Sequence, residues 1–349
     1  MEVIRRNKKT DTSSRLMKRA FMSMVLLIGL IVTILIGSYT YELIAAKREA
    51  KNYPPLGQLV DAGGYNLHIL QQGSGSPTIL FEGGSGAPST YWKEIASSLP
   101  PNVTVVTYDR AGYNWSDKHV TKRTGENIVT ELHTALQNSD INGPYILVGH
   151  SIGGMYTRLF AEKYEAEVVG MLLLDARSEH FSDRTNKILE NAGVDPQQFG
   201  SPPTNLLKFL KASGLLRIFK EPLLGDYYET ERELNEAINV TLTSKYYEAI
   251  QDETLEEQGL EQALKKTSMG NIPLTVISKG KDADLTVFGL SKEEGNLFEE
   301  IWYDEQKKLS NLSTDSKFLI AKNSGHEIAK DEPELVVHEI KELIKRVDD

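Results

Sequence analysis

Apolar and polar positions divide this chain into three textures. Residues 20–39 read AFMSMVLLIGLIVTILIGSY, a run without a single charge. As a helix rising ~1.5 Å per residue, such a run crosses the ~30 Å hydrocarbon core of a bilayer, so a transmembrane helix is expected there. A core helix of a soluble domain would show a polar face, and this run has only scattered Ser and Thr. From residue 56 the texture changes to short apolar runs alternating with helical stretches. GQLVDAGGYNLHILQQG predicts two antiparallel strands joined at Gly63-Gly64. PTILFEGG, VTVVTYDR, PYILVGHS, VVGMLLLDA, LTVISKG and SKFLIAKNSGH are apolar, often β-branched runs that end in Gly, Asp or Ser, the signature of buried parallel strands. Helical patterns fall between them at Tyr91–Leu99, Gly125–Asn138, Gly153–Tyr164 and Pro333–Arg346. That order predicts a mostly parallel sheet covered on both faces, with its ligand crevice outside the carboxyl ends of the strands. The third texture, residues 178–271, holds no convincing strand, only amphipathic helical text such as TNLLKFLKASGLLRIFK. It is too long for a connecting loop and reads as an inserted helical cap. Its Leu206, Leu207, Phe209, Leu210, Leu215, Leu216, Ile218 and Phe219 recur at helical spacing and are expected to be packing residues, with binding of an acyl chain as the alternative.

Charge orients the apolar run. Arg5, Arg6, Lys8, Lys9, Arg15, Lys18 and Arg19 precede it against Glu2 and Asp11, whereas Lys47, Arg48 and Lys51 after it are nearly offset by Glu42 and Glu49. The positive-inside rule therefore puts the amino terminus in the cytoplasm and the rest of the chain outside a cell membrane. A secreted protein released by cleavage near Ala45-Ala46 is the alternative, but the run exceeds the usual signal core. The expected organisation is a basic tail (1–19), an anchor (20–40), a tether (41–55), a core (56–177 and 272–349) and the cap (178–271). The formal net charge of -10 disfavours nucleic acid as a partner. The chain has no cysteine, which excludes disulfides, thiolate metal sites and cysteine nucleophiles.

Gly149-His150-Ser151-Ile152-Gly153 lies between the strand PYILVG and the helical pattern GMYTRLFAEKY. That setting holds a serine in a tight turn with its hydroxyl exposed, and bulky residues in place of either glycine would collide with the neighbouring strand and helix. A serine needs a base, normally a histidine oriented by a carboxylate. His326, in the turn after the last predicted strand, shares the sheet edge with Ser151. His68, His119, His133, His180 and His338 fall in a hairpin, loops or helices, and His150 points away from its neighbour. Two acids stay open: Asp175, which closes the strand VVGMLLLDA, and Asp282, which follows LTVISKG. The oxyanion formed on attack needs two N–H donors, expected from Ile152 and from Gly84 or Ser85 in the turn Glu82-Gly83-Gly84-Ser85-Gly86. That turn lacks the Lys-Ser/Thr of a nucleotide-binding loop.

Together GHSIG, FEGGSG, YDRAGYNWSD and NSGHEI, in the order serine, acid, histidine, resemble the α/β-hydrolase superfamily across about residues 56–346. The resemblance implies an α/β fold with an eight-stranded, mostly parallel sheet, a helical cap between the sixth and seventh strands, a serine nucleophile and no cofactor. The chain departs from the family pattern at Glu82, where histidine is common, and at Ala283, where Gly-x-x-Asp would place aspartate. No chemistry is assigned to Asp109-Arg110 or Tyr113-Asn114-Trp115. The expected activity is hydrolysis of a small or lipid-like ester or amide through an acyl-enzyme, without a metal. A proline-iminopeptidase-like aminopeptidase and an acyltransferase are alternatives within that resemblance, and a non-catalytic binding protein is the alternative outside enzymes.

Overall fold

The computed structural model describes residues 2–200, 202–225, 228, 230–265 and 268–348. The chain divides into two compact units, Pro55–Thr204 with Thr241–Asp349, and Met1–Pro54 with Asn205–Val240. In chain order the elements begin with α1 (Glu2–Glu49), β1 (Gln58–Asp61), β2 (Asn66–Gln72), β3 (Thr78–Glu82), α2 (Lys93–Ser97) and β4 (Thr104–Asp109). Next come α3 (Gly125–Asn138), β5 (Tyr145–His150), α4 (Gly153–Lys163), β6 (Val168–Leu174) and α5 (Phe181–Asn191). The helices α6 (Thr204–Ala212), α7 (Leu215–Ile218), α8 (Lys220–Leu224), α9 (Glu231–Glu236) and α10 (Ser244–Leu264) follow. The chain closes with β7 (Leu274–Lys279), α11 (Lys292–Leu309), β8 (Ser316–Ala321), α12 (Ile328–Asp331) and α13 (Pro333–Asp348).

All eight strands form one sheet in the order β1-β2-β4-β3-β5-β6-β7-β8. β2 is antiparallel to β1 and β4, and every later pairing is parallel. The hairpin turns where the two glycines allow it, with φ of 108° at Gly63 and 105° at Gly64. Alternate residues of the central strands feed two cores. Tyr145 and Leu147 of β5 pack with Leu132 and Leu136 of α3 and Met155 and Leu159 of α4. Ile146 and Val148 face the other way, against Trp92 and the Val336, Ile340 and Leu343 stripe of α13. The period of two along β5 meets the helical period of α13, and the sheet is closed on both sides.

The expected helix at Tyr91–Leu99 is shorter: a 3₁₀ turn over Ser89–Trp92 leads into α2, and Pro100-Pro101 follows. Helix α11 was not anticipated. Its start is marked by a reciprocal cap between Ser291 and Glu294, ahead of Leu297, Phe298, Ile301 and Trp302 at helical spacing. Within residues 178–271 the described residues carry no strand, but the segment does not form one body. α5 and α10 belong with the sheet, whereas 205–240 belong with α1. The expectation that the apolar residues of this segment are packing residues is corrected. Leu206, Phe209, Ile218 and Phe219 are about half exposed, while Leu216 is fully buried. Helical spacing records that a stripe exists without recording what covers it.

Candidate active site

Ser151 occupies the turn between β5 and α4 with φ of 56°, a left-handed conformation that a non-glycine residue adopts only when its surroundings impose it. The Ser151 amide donates to the Leu174 carbonyl at 3.2 Å, and the Arg177 amide donates to the Ser151 carbonyl at 2.9 Å. The turn is thus laced to the end of β6 on both sides of Asp175. Close packing explains the flanking glycines. A Cβ on Gly149 would meet Gly154 Cα and Thr157 Oγ1 at 2.7 Å, and one on Gly153 would meet the carbonyl oxygens of Glu82 and Gly83 at 2.5 Å.

His326 arrives from the turn after β8. Its Nδ1–H donates to Asp175 Oδ2 at 2.7 Å, which leaves Nε2 as the basic nitrogen. Asp175 is fully buried, and its other oxygen accepts from the Lys279 amide at 3.1 Å and Trp302 Nε1 at 2.9 Å. Burial pushes its carboxyl upward. The hydrogen bond and charge of His326, the Lys279 cation and the Trp302 N–H outweigh burial and hold it below the ordinary value. Asp175 itself has φ of 39°. Of the two acids left open by the sequence, Asp175 meets the imidazole. Asp282 does not: it is exposed, beside Lys279 and Gly280 in a pocket of about 490 Å³. Asp284 turns back on its own chain to bond Thr286. Among the described residues Ser151 Oγ has no hydrogen bond to His326.

His150, set aside as pointing away from Ser151, lies under the site. Its Nε2–H donates to the His326 carbonyl at 2.9 Å, and its ring stacks on Tyr91. Burial, followed by the nearby His326 charge, lowers its pKa to about 4. Ligand atoms of His150, His326 and Glu327 lie within 4.8 Å of one another. A metal there would take the ring that Asp175 orients.

Ile152 is buried at the start of α4, and a Cβ on Gly84 would lie 3.2 Å from Ser151 Cβ, so the glycine turn passes directly over the serine. Arg110 shapes that turn. Its Nη1 donates to the Gly83 carbonyl and its Nη2 to the Gly84 carbonyl, each at 2.8 Å. In a planar trans peptide N–H and C=O point in opposite directions, so the amides of Gly84 and Ser85 face away from Arg110. The guanidinium is buried between Glu82 at 2.5 Å and Glu253 at 3.2 Å. Arg123 joins Glu253 to Glu131, and Tyr108 donates to Glu82. Burial would lower Arg110, but the carboxylates around it raise it well above its ordinary value. Three carboxylates share two guanidiniums, and burial lifts Glu82 against the pull of Arg110. Sequence reasoning gave Arg110 and Trp302 no role. A glutamate closing the wholly buried strand TILFE was the available sign that a cation must meet it.

A serine in a left-handed turn after β5, an aspartate after β6 and a histidine after β8 that bonds it all lie beyond the carboxyl ends of a mostly parallel sheet in an α/β protein. A family model described as alpha/beta hydrolase family matches residues 79–339, and the chain belongs to that family. It is 27% identical over 266 residues to YqjL of Bacillus subtilis (strain 168), covering 76% of this chain and 83% of that one. It is 28% identical over 295 residues to C23C11.06c of Schizosaccharomyces pombe, covering 82% of this chain but only 50% of that one. Among solved structures it resembles a thermophilic esterase from Thermogutta terrifontis (TM-score 0.57, 19% identity, 83% of this chain and 97% of that one). It also resembles a putative acyltransferase from Salmonella enterica (TM-score 0.62, 18% identity, 83% and 95%). At these identities the structural likeness establishes the fold alone.

Proposed function

We propose that this protein is a membrane-anchored serine hydrolase that cleaves a carboxylic ester or amide through an acyl-enzyme. The observation that carries the reading is the 2.7 Å contact of His326 with buried Asp175 beside a serine held at φ of 56°. Ser151 Oγ attacks the substrate carbonyl carbon while His326 Nε2 takes the hydroxyl proton. The oxyanion is met by the Ile152 amide and that of Gly84 or Ser85, whose peptides Arg110 holds in place. The carbonyl–leaving-group bond breaks and the leaving group receives the proton from His326. Water then attacks the acyl carbon, gives its proton to His326, and the acid departs as Ser151 Oγ is reprotonated. Asp175 keeps the imidazole in the required tautomer throughout.

Anchoring is supported by α1, in which Arg15–Asn52 contains a stretch long and apolar enough to cross a membrane and none of that stretch is buried. The basic residues ahead of it support a cytoplasmic amino terminus with the sheet unit outside. The deciding experiment is labelling by a fluorophosphonate probe in intact membranes. Wild type is expected to react and Ser151→Ala to remain blank with an unchanged unfolding temperature. An unreactive, folded wild type would reject the serine hydrolase reading in favour of a binding protein.

A further inference from the structure

The outer end of α1 is not bare. Ser38, at the last turn of the apolar run, donates through Oγ to the Ser213 carbonyl at 2.6 Å. A Cβ on Gly214 would lie 2.2 Å from the Ser38 carbonyl oxygen, so the α6–α7 turn meets α1 backbone to backbone. One turn further along, buried Glu42 accepts Lys211 Nζ and Arg217 Nε, both at 2.7 Å, and Arg217 also reaches Glu49 at 2.7 Å. Two cations and two carboxylates thus fasten α6 and α7 to α1 with little charge left over.

The rise of a helix converts these contacts into depth. If the apolar run ending at Tyr39 fills the hydrocarbon, Ser38 stands at its edge and Glu42 about 6 Å above it, at ~1.5 Å per residue. A bilayer's polar layer is roughly 5–7 Å thick on each side. The fastened turn therefore lies at headgroup depth. The helices on either side of that turn expose Leu206 (54%), Phe209 (54%), Ile218 (49%), Phe219 (50%) and Leu223 (45%). Leu43 and Ile44 of α1 are also exposed just past the end of the uncharged run.

We infer that α6–α8 form an interfacial foot, with Phe209 and Phe219 inserted among the acyl chains of the leaflet from which α1 emerges. The occupant is the phospholipid bilayer because the Ser38 and Glu42 contacts hold these exposed apolar helices at the exit of the anchor. Aromatic and aliphatic side chains at the acyl–headgroup boundary are stabilised by removal from water, and the paired charges keep the clamp itself from needing solvent. This inference rests on the anchor proposed above.

The absence of cysteine makes the test direct. Full-length protein carrying one of Leu30→Cys, Phe209→Cys, Phe219→Cys or Val120→Cys is labelled with an environment-sensitive dye and reconstituted in phosphatidylcholine vesicles. The vesicles carry a nitroxide quencher either near the headgroup or near the chain terminus. The expected result is loss of fluorescence at Phe209 and Phe219 with the shallow quencher, loss at Leu30 with the deep one, and none at Val120. Quenching at Leu30 with Phe209 and Phe219 as bright as Val120 would overturn the foot while leaving the anchor intact. A Leu30 label that no quencher reaches would overturn both. Leu206→Cys and Ile218→Cys repeat the measurement should either phenylalanine variant fold poorly.

Discussion

Two histidine–aspartate pairs stand in the sheet unit with the same Nδ1–carboxylate distance of 2.7 Å, His326–Asp175 and His68–Asp109. In the second pair both side chains are 0% exposed, and every bonding position is occupied. The Gly57 amide donates to His68 Nε2 at 2.8 Å, and the Ser89 amide donates to the other Asp109 oxygen at 2.7 Å. In the first pair the aspartate is equally buried, but the His326 side chain is 38% exposed and its Nε2 makes no hydrogen bond among the described residues. The pairs differ in what remains unsatisfied. The saturated imidazole ties β2 to the last residue of β4 and to Gly57 ahead of β1, while the His326 ring is partly open to solvent. That open valence is what the proposed general base requires, and the shared motif alone does not mark it.

The largest test of this contrast is removal of the open pair. His326→Gln and Asp175→Asn are each expected to lower kcat by about 10³–10⁴-fold while the urea midpoint stays near that of wild type. Equal loss of activity and of stability would erase the distinction. In the saturated pair His68→Leu strands Asp109 without its partner and should destabilise the fold by about 3–5 kcal/mol. Its fluorophosphonate labelling per folded molecule should match wild type. A smaller effect comes from His150, which lies beneath the open pair. Its folded pKa of about 4 lies below its ordinary 6.5, so the unfolded chain takes up the proton first. Its contribution to stability is complete above pH 6.5 and declines as pH falls toward 4. Urea titrations across that window should show a slope that His150→Gln flattens, and an unchanged slope would assign it to other groups. The smallest effect belongs to Asp282→Asn, expected to change stability by less than about 0.5 kcal/mol and kcat not at all. A large loss there would make Asp282, not Asp175, the acid that orients His326.

The contrast also explains which parts were legible in the chain. The Ser151 turn was readable because its constraints are local: a β-strand pattern, two glycines at sites where a Cβ would collide, and a helix start. His326 was readable because it closes the last strand and strand ends share one rim. His68 looked unremarkable in its hairpin, because nothing near it in sequence announces the partnership with Asp109, 41 positions away. Helix α11 was missed for a different reason. Its capping signal and apolar spacing were present, but acidic and basic residues surround them, and Trp302 gains its meaning only by reaching Asp175, 127 positions earlier.

Residue pattern alone therefore determined the uncharged run at the amino terminus, the alternation that makes a parallel sheet, and the serine turn. Each follows from dihedral preferences and apolar periodicity acting over a few neighbouring positions. The tertiary structure brought Asp175 and not Asp282 to His326, enlisted Arg110 by way of Glu253, and left Phe209 and Phe219 uncovered. His326 and Asp175 are separated by 151 positions, Arg110 and Glu253 by 143. At such separations a contact is set by how whole strands and helices pack, where burial selects which charge must be matched and which nitrogen stays free.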